Sequence, residues 1–270
     1  MSNVWLVQLV FDCQDPDRVA RFWGQVLEYG NDLVYASDEE VAAFRREFPQ
    51  FEGRGRIDDR ELRRPPVYIQ RVPEPKETRN RVRLEVAVPP GTRAQVMQQI
   101  ERLGGGIDGS QLRDVENNEF TLIDRADVSE RRLASVVFDC GDCQRMMEFW
   151  SQATGYSAGD GRCDPVATDL VYVGGAFTFR DERYLHVTGM DAQPVGRNLF
   201  DLTPGLAFEP SPEPKVGKNR IHLDLTSSDH NADRDRLIGL GATVLRWDTD
   251  HVMADPEGNE FCLSPSRSAR

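Results

Sequence analysis

The chain has 270 residues, of which 39% are hydrophobic and 29% are charged, a composition typical of a globular protein with room for two ordinary domains. The 33 Lys and Arg residues against 45 Asp and Glu give a net charge of −12, which argues against a nucleic-acid binder or a binder of anionic membranes. The five cysteines are irregularly spaced and predict no disulfide framework, and the first residues lack the basic and apolar segments of a signal peptide. We therefore expect a cytoplasmic protein, monomeric or homodimeric, that binds neither nucleic acid nor membrane.

Three sequence blocks occur twice, in the same order. Residues 6–29 (LVQLVFDCQDPDRVARFWGQVLEY) match 133–156 (LASVVFDCGDCQRMMEFWSQATGY), 73–85 (PEPKETRNRVRLE) match 212–224 (PEPKVGKNRIHLD), and 114–120 (DVENNEF) match 255–261 (DPEGNEF). Because coincidence is a poor explanation for three ordered matches, the pattern predicts a tandem duplication. We place the two domains at residues 1–127 and 128–270.

The first copy begins with a β-rich run, Val4–Cys13, followed by Asp15-Pro16, a typical helix start. Apolar residues at helical spacing then predict a helix over 15–28. Further along we predict a strand over 81–88, a helix over 94–103 that ends at Gly104, and a last strand over 119–123. The second copy repeats these elements, with the helices at 142–154 and 232–240 and the strands at 220–226 and 260–263.

Residues 37–66 have no similar counterpart in the second copy and are interpreted as an insertion. Val41, Phe44 and Phe48 predict a short amphipathic helix, and the stretch GRGRIDDRELRRPP, from Gly53, predicts a charged loop. The insertion is either a lid over a binding site or a surface decoration.

The motifs FDC, FW and Tyr in both copies, the PEPK-x3-NR segments and DPEGNEFCL at 255–263 resemble the vicinal oxygen chelate superfamily, and most of all its glyoxalase-like domains. That superfamily includes glyoxalase I, bleomycin-resistance proteins and extradiol dioxygenases. The resemblance implies an α+β fold of two tandem glyoxalase-like domains. Each domain would contain two βαβββ units that curl a mixed sheet into a cup around a cleft.

The resemblance also implies four metal-ligand positions in each cleft. In the first copy they fall on Gln8, Gln70 (or Tyr68, because the register there is uncertain), Arg83 and Thr121. An arginine side chain is a fixed cation and has no lone pair for a metal. We therefore expect no metal in the first cleft, where Arg83 would pair with Glu85 or Glu119, or would favour an anionic ligand.

In the second copy the same positions fall on Ser135, Glu209 (or Ala207), His222 and Cys262. His222, Glu209 and Cys262 are acceptable ligands for zinc, whereas serine is a poor one. We expect no resident cofactor, with zinc or iron in the second cleft as the alternative.

Strand alternation places further polar residues on the faces that would line the clefts. The candidate ligand-binding residues are Gln8, Asp12, Arg83, Glu85, Thr121, Ser135, Asp139 and Asp224. The same alternation places Cys140 on the opposite face from Ser135. We therefore interpret Cys140 as a core residue, although Cys140 and Cys143 have the spacing of a redox motif.

We predict a metal-independent protein that binds a small molecule in its clefts, for example to sequester a drug or a metabolite. The first alternative is a metal-dependent lyase, isomerase or dioxygenase in the second cleft, with His222 as metal ligand or general base and Glu260 or Glu209 as its acid–base partner. The second alternative is a structural or regulatory protein with vestigial clefts. The residues alone do not decide whether the protein is an enzyme.

Overall fold

The computed structural model describes residues 4–29, 33–34, 53–57, 64–159, 162–164, 203–247 and 251–265. The first half contains β1 (Val4–Cys13), α1 (Pro16–Val26), β2 (Leu33–Val34), β3 (Gly53–Ile57), β4 (Val67–Arg71), β5 (Val82–Val88), α2 (Arg93–Arg102), β6 (Gly106–Asp108), β7 (Gln111–Arg113) and β8 (Glu119–Asp124). The second half contains β9 (Arg132–Cys140), α3 (Cys143–Thr154), β10 (Ser157–Gly159), β11 (Arg162–Asp164), β12 (Gly205–Pro210), β13 (Ile221–Ser227), α4 (His230–Gly239), β14 (Thr243–Arg246), β15 (His251–Ala254) and β16 (Glu260–Pro265). This order is four successive βαβββ units, two in each sequence copy, as predicted.

The helix boundaries follow from local chemistry. Asp15 caps α1 by accepting a hydrogen bond of 3.2 Å from the Arg18 amide, and Pro16 takes the first helical position. Asp142 caps α3 in the same way, and that helix ends at Gly155 in the left-handed region, with φ of 77°. The predicted helices over 15–28 and 142–154 are confirmed to within two residues.

One face of each sheet packs against helices to form the core. Phe11 of β1 contacts Trp23 of α1, with ring centroids 5.1 Å apart, and Phe138 of β9 contacts Trp150 of α3 at 5.2 Å. Cys140 is fully buried in this core, as predicted. The opposite faces of β1 and β9 carry the polar residues that the sequence singles out.

Each helix also ties together the two units of its own copy. The Trp23 indole nitrogen donates a hydrogen bond of 2.9 Å to Asp114, in the turn before β8. The Trp150 indole nitrogen donates one of 3.2 Å to Asp255, in the equivalent turn before β16. Units of the same copy therefore associate through their helical sides.

The two sheets, by contrast, each combine strands from both copies. The first sheet has the order β14-β15-β16-β13-β1-β4-β3-β2, and the second has the order β10-β11-β12-β9-β5-β8-β7-β6. At their centres, β1 pairs antiparallel with β13, and β5 pairs antiparallel with β9. Each polar face therefore draws residues from the first and the second copy together, which changes how the predicted site residues are grouped.

The predicted insertion is described only in part. Gly53–Ile57 forms β3, which pairs antiparallel with β4, so the prediction of a charged loop is wrong for these five residues. The predicted helix around Val41, Phe44 and Phe48 lies outside the described residues. The insertion at 37–66 and the domain boundary between 127 and 128 stay predictions.

Within the described part of the chain, every helix is too short or too polar to cross a lipid bilayer.

Candidate functional site

Site A is the polar face of the first sheet. It consists of Gln8 and Asp12 on β1, Gln70 on β4, His222 and Asp224 on β13, and Cys262 on β16. Strand register brings them together, because Asp224 lies opposite both Gln8 and Cys262 in neighbouring strand pairs, and Asp12 lies opposite Gln70. The sequence had divided Gln8 and His222 between two clefts, and the pairing of β1 with β13 corrects this.

Asp224 lies at the centre of site A. Its Oδ2 atom accepts a hydrogen bond of 2.7 Å from the Gln8 side chain, and its Oδ1 atom lies 3.5 Å from His222 Nε2. Gln8 and His222 are buried. Low local polarity strengthens such contacts, so these three side chains hold one another in a fixed arrangement.

Three buried polar atoms of site A have no hydrogen-bond partner among the described residues. They are Asp12 Oδ1, in a residue that is only 1% exposed, His222 Nδ1, in a residue that is 6% exposed, and Asp224 Oδ1. The second Asp12 oxygen pairs with the Lys218 ammonium group. Leaving a buried polar group unpaired costs about 1–3 kcal/mol, so a partner supplied from outside the chain would be favourable here.

Site A also has donors of the kind that hold a divalent metal. Donor atoms of His222, Asp224 and Cys262 all lie within 4.8 Å of one another. Imidazole nitrogen, thiolate sulfur and carboxylate oxygen are all ligands that zinc accepts. These residues therefore fit a metal in type and spacing. The predicted set of His222, Glu209 and Cys262 is corrected, because Asp224 takes the place of Glu209.

Strand register also bears on the two implied ligand positions that the sequence left open. Cys262 lies opposite Asp224, which is two residues beyond His222 on β13. In the same way, Tyr68 lies opposite Val10, which is two residues beyond Gln8 on β1. Tyr68 rather than Gln70 therefore corresponds to Cys262. In the second sheet Ala207 lies opposite Val137. By the same correspondence, Ala207 rather than Glu209 falls at the position that the resemblance implies there.

Site B is the polar face of the second sheet, and its charges pair internally. The Arg83 guanidinium group donates hydrogen bonds of 2.6 Å to Asp139 and to Glu209. Burial by itself would lower the pKa of Arg83, but the hydrogen bonds and charges of Asp139 and Glu209 outweigh burial and raise it. The prediction that Arg83 pairs with Glu85 or Glu119 is wrong, since its partners come from the second copy.

The other predicted residues of site B are engaged as well. Arg162 donates to Glu85 at 2.8 Å and also to the Ser135 hydroxyl group. Thr121 lies opposite Glu85 on the neighbouring strand. Glu209 is thus a partner of Arg83 in site B, in a different sheet from His222.

Glu260 stabilises the loop before β13, which contains Lys215 and Asn219. Its carboxylate accepts a hydrogen bond of 2.7 Å from Lys215 and one of 3.2 Å from the Asn219 amide. Glu119 binds Lys76 and the Asn80 amide in the same way, at 2.9 and 3.2 Å. These bonds explain why both copies contain PEPK followed by Asn, and they give Glu260 a positioning role for this loop.

The sequence reasoning missed the arginine that follows each of these loops. Arg220 donates to the carbonyl oxygens of Glu74 and Pro75, and Arg81 donates to the carbonyl oxygen of Glu213. Each PEPK loop is therefore held by an arginine of the other copy. The repeated Asn-Arg pair was the available signal, but the pairing of the copies was needed to interpret it.

Comparison with known proteins agrees with this architecture. The sequence matches the glyoxalase-like domain family twice, over residues 8–127 and 135–264. Glyoxalase I from Zea mays is similar in structure, with a TM-score of 0.61, 15% identity, and coverage of 98% of this chain and 93% of that one. A putative dioxygenase from Bacillus subtilis has a TM-score of 0.54, 11% identity, and coverage of 98% and 86%. At these identities the likeness shows the fold alone. No curated protein matches the sequence.

Proposed function

Because the chain belongs to the glyoxalase-like domain family of the vicinal oxygen chelate superfamily, we propose that it binds a small molecule at site A without a resident metal. The observation that carries this proposal is the group of three buried polar atoms without a hydrogen bond, Asp12 Oδ1, His222 Nδ1 and Asp224 Oδ1, on one sheet face. Binding sites of this kind place a few polar groups in a largely buried, mostly apolar surface. A bound ligand would supply the missing hydrogen bonds.

The charges of site A are partly balanced by the chain itself. Lys218 pairs with Asp12, and Gln8 donates to Asp224, so neither carboxylate depends on a metal for its first partner. Site B is less suited to a ligand, because Arg83 is already bound by two carboxylates. We therefore assign the binding function to site A.

The test is a fragment screen observed through the histidine side-chain NMR signals. Fragments that bind at site A should shift the His222 imidazole signals and should lose affinity in Gln8→Ala. A matched control is Glu209→Gln, which alters site B and should leave fragment binding unchanged. If no fragment shifts His222, or if Glu209→Gln abolishes binding while Gln8→Ala does not, the assignment to site A is wrong.

A second candidate is a metal-dependent lyase, isomerase or dioxygenase, favoured by the donor set of His222, Asp224 and Cys262. A bound divalent metal would supply Lewis-acid polarisation of a substrate oxygen. In that case Gln8 would orient Asp224 through their hydrogen bond, and the His222 ring would be held between Asp224 and the interior of the site.

Metal content separates the two candidates. We expect substoichiometric zinc and iron in protein purified without chelator or metal affinity resin. About one metal per chain, lost in Cys262→Ser and retained in Cys143→Ser, would favour the metal-dependent enzyme. Cys143 is the matched control because it is a partly exposed thiol at the start of α3, on the second sheet's helical side.

A further inference from the structure

Sites A and B occupy equivalent places in the duplicated chain. The aligned repeats and the strand register pair Asp12 with Asp139, Gln70 with Glu209, Lys218 with Arg79, and His222 with Arg83. The two sites are therefore an internal comparison, in which one position carries a permanent cation in site B and an imidazole in site A.

In site B the position equivalent to His222 is occupied by Arg83, so the cation belongs to the chain itself. The Arg83 guanidinium group lies between Asp139 Oδ1 and Glu209 Oε2, at 2.6 Å from each. The other Asp139 oxygen lies 3.4 Å from the Arg79 guanidinium group. Both oxygens of this buried aspartate thus have a positively charged partner.

In site A only one of the two oxygens of the equivalent aspartate, Asp12, has a positively charged partner. Lys218 contacts Asp12 Oδ2, as Arg79 contacts Asp139 Oδ2, but Asp12 Oδ1 has no partner among the described residues. The His222 ring cannot replace Arg83, because its Nε2 atom lies beside Asp224, two residues further along β13. Asp12 lies towards the opposite end of β13 from Asp224. Its backbone amide donates a hydrogen bond to the carbonyl oxygen of Arg220, two residues before His222.

We propose that site A recognises an organic cation, a primary ammonium or guanidinium group that binds Asp12 Oδ1 where Arg83 binds Asp139. This inference rests on the proposed function and names the class of its ligand. The charge of the site agrees, because Asp12 and Asp224 contribute two carboxylates against the single ammonium group of Lys218. The chain's net charge of −12 would attract cations from solution and repel anions.

The experiment uses two probes of nearly equal shape, ethylguanidinium, which is charged, and ethylurea, which is neutral. Binding to the full chain is measured by titration of the His222 NMR signals. Because a charge-assisted hydrogen bond to a buried carboxylate is roughly twice as strong as a neutral one, ethylguanidinium should bind about tenfold more tightly or better. Asp12→Asn should remove that preference, while Glu209→Gln in site B should preserve it.

The internal comparison supplies two exchange variants. His222→Arg places a guanidinium group in site A and should abolish ethylguanidinium binding without lowering the melting temperature; because this variant lacks the His222 signals, its binding is measured by titration calorimetry, beside the unsubstituted chain. Arg83→His should leave Asp139 Oδ1 in site B without a partner and create a second ethylguanidinium site, which a stoichiometry measurement would detect. Equal affinity for the two probes, or a preference that survives in Asp12→Asn, would overturn the inference.

These outcomes separate the inference from the function on which it rests. If neutral fragments shift His222 and ethylguanidinium does not, site A binds ligands and the cation assignment alone is wrong. If neither neutral fragments nor ethylguanidinium affects His222, both proposals are wrong.

Discussion

Gln8 donates a hydrogen bond of 2.7 Å to Asp224, although the two residues are 216 positions apart in the chain. The bond joins β1 of the first copy to β13 of the second, where the two strands are antiparallel neighbours. Site A therefore exists only when both copies are present. We therefore expect the duplicated chain to fold as one unit, because each copy alone would lack one half of the site.

Dividing the chain between residues 127 and 128 should prevent independent folding. Residues 1–127 alone would leave β1 and β5 without β13 and β9, and unpaired central strands expose hydrogen-bonding edges that favour association. We expect no folded monomer of 1–127 by circular dichroism and light scattering. Producing 128–270 in the same cells should restore a one-to-one complex. A monomeric, folded 1–127 fragment would contradict this prediction.

Glu257 should contribute more to stability than Glu116, its counterpart in the first copy. Glu257 accepts hydrogen bonds from the Gly141 and Asp142 amides, at 2.9 and 2.7 Å, and also pairs with Arg81 at 2.8 Å. Substitution Glu257→Ala should lower the free energy of unfolding by about 2–3 kcal/mol, because it removes the charged acceptor of two backbone amides at the start of α3 and leaves the buried Arg81 without its carboxylate partner. Urea unfolding measures the change.

The matched control is Glu116→Ala. Glu116 accepts hydrogen bonds from the Gln14 and Asp15 amides, at 2.9 and 2.6 Å. Among the described residues its side chain has no arginine partner, and the equivalent Arg220 binds the carbonyl oxygens of Glu74 and Pro75. We expect a loss of about 1–2 kcal/mol for Glu116→Ala. Equal losses in the two variants would mean that the Arg81 pair adds nothing.

Asp255 should make stability fall as pH rises through the weakly acidic range. Burial raises its pKa to about 6, against the hydrogen bonds from Asn259, Glu257 and Trp150, which lower it. In the unfolded chain the pKa returns to about 3.9, so between these values the folded state retains a proton that the unfolded chain releases. The stabilisation is present below about pH 4 and is lost as pH passes about 6, by no more than about 3 kcal/mol.

Urea unfolding at about pH 5 and about pH 7.5 tests this sign. The decline of stability between these values should be smaller in Asp255→Asn than in the unsubstituted chain. Asp127→Asn is the control, because Arg125 holds the pKa of Asp127 at about 2, below the range compared. A decline that is the same in all three proteins would show that Asp255 is already ionised at pH 5.

Local signals in the sequence predicted the helices and strands well, but not which distant segments lie next to one another in space. The Asp15-Pro16 cap and the alternation along Val4–Cys13 depend on neighbouring residues, and both predictions are confirmed. The grouping of Gln8 with Arg83, by contrast, assumed that each copy closes its own sheet. Which units share a sheet depends on packing over more than a hundred residues, and a single sequence carries no periodicity that reports it.

The same limit explains the errors at individual site residues. The assignment of Glu209 to the metal set assumes that each copy closes its own sheet, whereas β12 pairs with β9 in the second sheet and His222 lies on β13 in the first. Gly53–Ile57 was predicted as loop because its glycines and arginines have no apolar alternation. It forms a strand because β4 supplies a pairing edge.

The cysteines should differ in reactivity according to their burial. Burial raises the pKa of Cys140, and the adjacent Cys143 thiol raises it further, while burial also raises the pKa of Cys13. Because the thiolate is the reactive form, iodoacetamide should modify Cys13 and Cys140 much more slowly than the partly exposed Cys143. Peptide mapping by mass spectrometry at successive times measures the order, and a sample unfolded in urea, where all should react at similar rates, is the reference. If Cys140 reacts as fast as Cys143 in the folded protein, the start of α3 opens on the timescale of the labelling.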